Sequence, residues 1–150
     1  MKGQVSTELM VIIAVIFVIF IPLLVFVYTK ADEAQREMAA YQAQIATFRT
    51  AYLINSVGSL GANTIVYSDV YIPGGTKYFR VKNVGGAAEV QLKAVTPSGE
   101  KDFAEVVKYH VISTGDGTLV KEPSYGWTRL KISNIYDSQT NTAVVKIEKV

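Results

Sequence analysis

The chain has 150 residues, a formal net charge of +2, a single histidine and no cysteine. That length leaves room for one globular domain of ordinary size beside a hydrophobic anchor. The composition excludes a disulfide framework and thiolate metal sites, and no Lys/Arg cluster of the kind that binds nucleic acid occurs.

The N-terminus reads Lys2-Gly3-Gln4-Val5-Ser6-Thr7-Glu8, followed by twenty uncharged, almost wholly apolar residues, Leu9 to Tyr28. About 20 helical residues at roughly 1.5 Å each match a hydrocarbon core of about 30 Å, so the run predicts a membrane-spanning helix. Valine, isoleucine, leucine and phenylalanine cover every face of it, and lipid or other apolar helices must therefore surround it on all sides. A secretory signal peptide puts its small-residue cleavage site after the apolar region; here a small-residue junction and a carboxylate come before it. Glu8 can be a solvated helix-start acid at headgroup level, or a carboxylate stripped of water and paired. A cut between Gly3 and Gln4 would create an α-amino group four residues from Glu8, within reach along one helix face or from a neighbouring subunit.

Lys-Gly followed by Gln-Val-Ser-Thr-Glu-Leu and an unbroken apolar helix resembles the class III signal peptide of archaeal type IV pilins. The resemblance is sharp over Met1 to Tyr28. It implies that residues 1–3 are a leader removed by a prepilin peptidase, with Lys2 the basic residue before the cut, Gly3 the residue cut after and Gln4 the first mature residue. Glu8 would be the fifth mature residue, with a role in assembly. Archaellins, the related motility subunits, usually carry a glycine-rich start to the apolar helix. None lies between Leu9 and Tyr28, which favours a pilus.

Beyond the run, Ala31, Ala34, Met38, Tyr41, Ile45, Phe48 and Tyr52 recur at spacings of three and four, the stripe of a helix packed along one side. The spacing predicts one helix over residues 4–57, apolar at 9–28 and amphipathic at 29–57, roughly 80 Å long at about 1.5 Å per residue. It is expected to end near Gly58, because Gly58 and Gly61 bracket Ser59-Leu60 and glycine suits a helix end. Pro22 removes the amide that would bond the Val18 carbonyl, which predicts a kink or a locally melted turn. In type IV pilins a proline in this region is often where the helix bends or loosens on packing, and Pro22 resembles that feature.

Residues 58–150 read as a β-rich head. Ala88, Val90, Leu92 and Ala94 alternate with polar residues, as do Leu130 with Ile132 and Val145 with Ile147. Further strands are expected over 64–72, 77–84, 103–112 and 118–121. They are bounded by turn residues at Pro73-Gly74-Gly75, Gly85-Gly86, Pro97-Ser98-Gly99, Gly115-Asp116-Gly117, and Pro123 with Gly126. Six or seven short strands predict an antiparallel sheet or sandwich, with the stripe from Ala31 to Tyr52 available to cover part of it. The fold class is α+β, a long N-terminal hydrophobic helix followed by this head. The head also resembles archaeal adhesion-type pilins, in which a β domain follows a single long helix; Ile65 to Gly75 looks like their first strand and turn. Many of those pilins are N-glycosylated, but no Asn-x-Ser/Thr occurs here.

Catalytic chemistry is scarce. His110 is expected to pack or hydrogen-bond at the sheet surface, and Asp137-Ser138-Gln139-Thr140-Asn141 lacks the alternating acids and distal glutamate of a calcium loop, so it reads as a turn. No residue set supports an enzyme, and no cofactor or metal is expected. Tyr67, Tyr71, Tyr78, Tyr109, Tyr125, Trp127 and Tyr136 suit a recognition surface, and cross-strand packing accounts for most of them equally well. Taken with the resemblance, the chain is expected to be the structural subunit of an extracellular pilus serving adhesion. The partners implied are identical subunits in a helical homopolymer, the prepilin peptidase, an assembly ATPase and a membrane platform protein, with the membrane holding the precursor. The alternatives are a single-pass anchored binding module that does not polymerise, or an archaellum-type subunit.

Overall fold

The computed structural model describes residues 2–113, 115–122, 125–137 and 142–150, with the side chains of residues 2–6 left out. Helix α1 runs from Lys2 to Leu60. Eight strands follow: β1 (Ile65–Ile72), β2 (Thr76–Val84), β3 (Ala87–Thr96), β4 (Gly99–Val107), β5 (Val111–Ser113), β6 (Thr118–Lys121), β7 (Gly126–Asp137) and β8 (Thr142–Lys149). The chain divides into two compact units, residues 1–35 and residues 36–150.

The first unit is helix. Helical structure continues without a break through Pro22, so the melted turn expected there is not present.

The second unit combines the C-terminal part of α1 with two four-stranded sheets, in the orders β1-β7-β8-β5 and β4-β3-β2-β6. Both sheets contribute side chains to one shared core, and β3 does so by strict alternation. In β3 these are Ala88, Val90, Leu92 and Ala94, with Phe79 of β2 beside Leu92 in the same sheet, while the other sheet supplies Leu130, Ile132, Val145 and Ile147. Strict alternation with one wet face is what an antiparallel sheet packed on one side requires. Gly85 and Gly86 form the two-residue turn between β2 and β3, both at positive φ (59° and 88°), the geometry of a type I′ hairpin that glycine adopts without a steric cost.

Gly117 meets a harder constraint. It sits at φ +86°, its carbonyl accepts the Val81 amide at 2.9 Å, and an added Cβ would overlap the Val81 carbonyl oxygen. We expect Gly117→Ala to lower head stability by about 2–5 kcal/mol, combining left-handed strain with a backbone clash, as a thermal melt would register. A melt within about 0.5 kcal/mol of wild type would refute this constraint.

Three expectations are corrected. The helix ends at Leu60, with Gly61 at φ +93° taking the left-handed position, and Gly58 is interior. A side chain at Gly58 would strike the Tyr109 ring, so this glycine permits close approach rather than terminating the helix. The strand expected over 103–112 is two strands in different sheets, β4 and β5, making eight among the described residues. Between them the Lys108 amide donates to Asn55 Oδ1 at 3.0 Å and Tyr109 packs on Gly58, which draws the chain off β4 toward the helix. β5 then pairs with β8 in parallel, whereas the other strand pairs among the described residues are antiparallel.

The third correction concerns the amphipathic stripe. Met38, Tyr41, Ile45, Phe48 and Tyr52 do not cover the sheets; each is 60% or more exposed. The face packed into the core carries Ala43, Ala46, Thr47, Thr50, Ala51, Ile54 and Val57. Small residues let the helix axis approach the strands closely, and the volume between is filled by side chains of the sheets. The two buried threonines satisfy their hydroxyls within the helix, Thr47 Oγ1 donating to the Ala43 carbonyl (2.9 Å) and Thr50 Oγ1 to that of Ala46 (2.8 Å).

Candidate functional site

The apolar run of the first unit is exposed over its whole length. From Leu9 to Tyr28 every large hydrophobic residue is open, and none of the most apolar stretch is buried within the chain. By length and composition this helix can cross a membrane. Its exposure has the cause anticipated from sequence: a helix apolar on every side cannot be covered by one small domain.

The sites expected at its start are placed in part. Residues 2–6 are helical, so Gln4 and Glu8 stand one turn apart. The side chains of Lys2 and Gln4 lie outside the described residues. Glu8 is exposed, and the next basic residue along the helix after Lys2 is Lys30, too far to pair with it. Pro22 lies in the second half of the exposed run, inside regular helix.

On the second unit two exposed apolar surfaces differ in chemistry. The first is the stripe Met38, Tyr41, Ile45, Phe48 and Tyr52, which sequence periodicity found but placed on the wrong side. At about 100° per residue it lies opposite the buried alanine and threonine face, and no charge interrupts it. The second is the outer face of the β1–β7 pair, where Tyr67 and Tyr71 alternate with Asp69, and Trp127 precedes Arg129 and Lys131. Sequence singled out these aromatics without their arrangement. Arg129 grips Asp69 in a bidentate pair (Nε to Oδ1 2.8 Å, Nη2 to Oδ2 3.1 Å). The guanidinium's hydrogen bonds hold the Asp69 carboxyl below its ordinary value, and Asp69 in turn raises Arg129. The pair's stabilising contribution is therefore present above an unfolded aspartate's value of about 3.9 and lost as pH falls through the lowered native one.

His110 is exposed, its Nε2 3.5 Å from Asn83 Nδ2. Asn83 bridges β2 to β5 by donating to the Val111 carbonyl (2.7 Å) and accepting the Val111 amide (3.1 Å). The histidine thus stands at a sheet junction. Among the described residues no three His, Asp or Glu side chains gather as a metal site. Of the turn expected over 137–141, residues 138–141 lie outside the described residues, as does Pro123. Compared with known proteins, the chain matches no family model, no curated protein and no solved structure.

Proposed function

We propose that this chain is the structural subunit of an extracellular filament of the archaeal type IV pilus kind. A membrane-inserted precursor is cut after Gly3 by a prepilin peptidase, and helix α1 then leaves the bilayer to pack with identical subunits, displaying the β heads for adhesion. The observation that carries this reading is a helix apolar on all sides from Leu9 to Tyr28 and uncovered by its own chain, preceded by Lys2-Gly3-Gln4 and Glu8. The second, uncharged stripe on the head's part of the same helix supports it, since that stripe also needs a neighbour. Moving an apolar helix from lipid to helix neighbours gains packing and fit rather than hydrophobic transfer, because lipid is already apolar. Extraction therefore calls for an ATPase and a membrane platform.

N-terminal sequencing of surface material sheared from cells tests the reading. The mature chain should begin at Gln4 and be recovered in filaments, and Gly3→Leu should leave uncut precursor in the membrane with filament yield reduced more than about tenfold. An intact Met1 or Lys2 terminus on a chain that stays with membranes would replace this reading with the anchored binding module.

A further inference from the structure

The outer face of the β1–β7 pair is built in three rows by its register: Tyr71 opposite Trp127, Asp69 opposite Arg129, and Tyr67 opposite Lys131. Rings therefore stand at both ends of the patch with an ion pair between them. Trp127 is 73% exposed and Tyr67 59%. Tyr71 touches the indole edge-on, centroids 5.4 Å apart and planes at 67°, which holds Trp127 in place while leaving most of its surface open. The same face continues onto β8, where Lys146 bonds Glu148 at 2.7 Å and Lys131 stands opposite Glu148. Three cations, Arg129, Lys131 and Lys146, thus share two carboxylates, Asp69 and Glu148, and Arg49 also acts on Asp69.

That layout selects among ligands. A second protein closing dry over the patch would have to desolvate the Asp69–Arg129 pair at its centre, at a cost of several kcal/mol per ion, whereas interface cores are depleted of charge. The uncharged helix stripe has the composition of such an interface; this face does not. A cationic ligand is repelled by the surplus of basic residues, and an anionic one must compete with Asp69 and Glu148, which already hold Arg129 and Lys146. A polyhydroxyl ligand meets neither obstacle. The C–H faces of sugar rings stack on aromatic rings, and their hydroxyls can bond a carboxylate and a guanidinium that stay hydrated. Arg129 has five N–H donors, of which Asp69 engages two. Tyr67 and Tyr71 lie four residues apart on one strand, about 13 Å at roughly 3.3 Å per residue, enough for a short oligosaccharide across the ion pair.

We propose that the outer face of the β1–β7 pair, through Tyr67, Trp127 and the Asp69–Arg129 pair between them, is a binding site for a neutral polysaccharide. The site belongs to the folded head, and because its Tyr71–Trp127 end shares a hollow with Ile45 of the helix stripe, it is tested on unassembled protein.

Trp127 is the sole tryptophan, so its emission reports directly from the site. Full-length protein in detergent should be titrated with laminarin, mannan and dextran, and with alginate as an acidic control. The expected result is a saturable blue shift with at least one of the three neutral polymers, little changed at about 0.5 M salt, where surface charge attraction is screened. Retention on that polymer immobilised should fall about tenfold or more in Trp127→Ala and in Tyr67→Ala, with thermal melts unchanged because both residues are exposed. The proposal is overturned by no shift with any neutral polymer, by binding to alginate alone, by loss of binding in salt, or by wild-type retention of the Trp127→Ala variant. A blue shift on self-association without any polysaccharide would also overturn it, by making this face a contact between copies.

Discussion

Phe48→Asp should leave the head folded and nearly abolish filaments. Phe48 is 60% exposed within the uncharged stripe, so the aspartate finds water in the monomer, and a thermal melt should move by no more than about 0.5 kcal/mol. In a filament built as proposed, the stripe is covered by neighbouring subunits, and a carboxylate placed there without a partner costs several kcal/mol. About 3 kcal/mol per contact already weakens association roughly a hundredfold, and every subunit carries the defect. Ile45→Asp should behave the same way. Ala46→Asp, one position along the helix, should do the reverse damage, because Ala46 is 2% exposed against the sheets and its replacement unfolds the head before assembly can begin. Sheared-filament yield and a melt of the detergent-solubilised protein separate the two outcomes. Normal filaments from the Phe48→Asp strain would sink the assignment of this stripe to assembly.

The contrast between Phe48 and Ala46 also explains why sequence reading found the helix but faced it the wrong way. Periodicity weighs large apolar residues, and Met38, Tyr41, Ile45, Phe48 and Tyr52 form a clean stripe. The face that packs is made of alanines and threonines, whose hydropathy is weak and whose value lies in their small size. What decides burial there is how close the strands approach, a tertiary quantity that the helix's own residues do not contain. The uncovered stripe is then a fact about the isolated chain that only a comparison of the two faces brings out.

A similar limit applies to β4 and β5. Phe103, Glu105, Val107, Tyr109 and Val111 keep one alternating phase, so nothing in the local pattern marks a break between Val107 and Val111. The break is imposed from far along the chain, by Asn55 bonding the Lys108 amide and by Gly58 admitting the Tyr109 ring. Where strand identity depends only on neighbours, as in β3 with its buried Ala88, Val90, Leu92 and Ala94 or in the Gly85-Gly86 turn, the pattern was readable. The aromatic face lies between these cases. The outward positions Tyr67, Asp69 and Tyr71 are legible in β1, but that Arg129 and Trp127 stand opposite them is set by the β1–β7 register, which spans 60 residues between Asp69 and Arg129.

Asn134→Ala should cost the head about 2–4 kcal/mol. Asn134 is 1% exposed on the inner face of β7, and its side-chain amide donates to the carbonyls of Val57 (3.1 Å) and Gly58 (3.2 Å). Those carbonyls belong to the last turn of α1, where helical hydrogen bonding runs out. Its backbone meanwhile accepts the Asn63 amide (2.9 Å) and donates to the Thr64 carbonyl (2.8 Å), so one residue fastens both the helix end and the chain leaving it. Alanine keeps the backbone links and removes the two bonds to buried carbonyls, at about 1–3 kcal/mol each, and part of that loss is offset because it also removes Oδ1, a buried oxygen with no partner. For a head of this size the melting temperature should drop by roughly 10 °C or more. Asn134→Asp tells the cause apart from mere loss of volume. Aspartate has nearly the same shape, so if packing alone mattered it would be the milder change. If the donated hydrogen bonds matter, it should be worse than alanine, because it offers no N–H and sets a buried carboxylate against two carbonyl oxygens. A melt of Asn134→Asp equal to wild type would mean that the helix end is held by the apolar contacts of Ile54 and Val57 and by the backbone bonds at Asn63 and Thr64, without the side-chain amide.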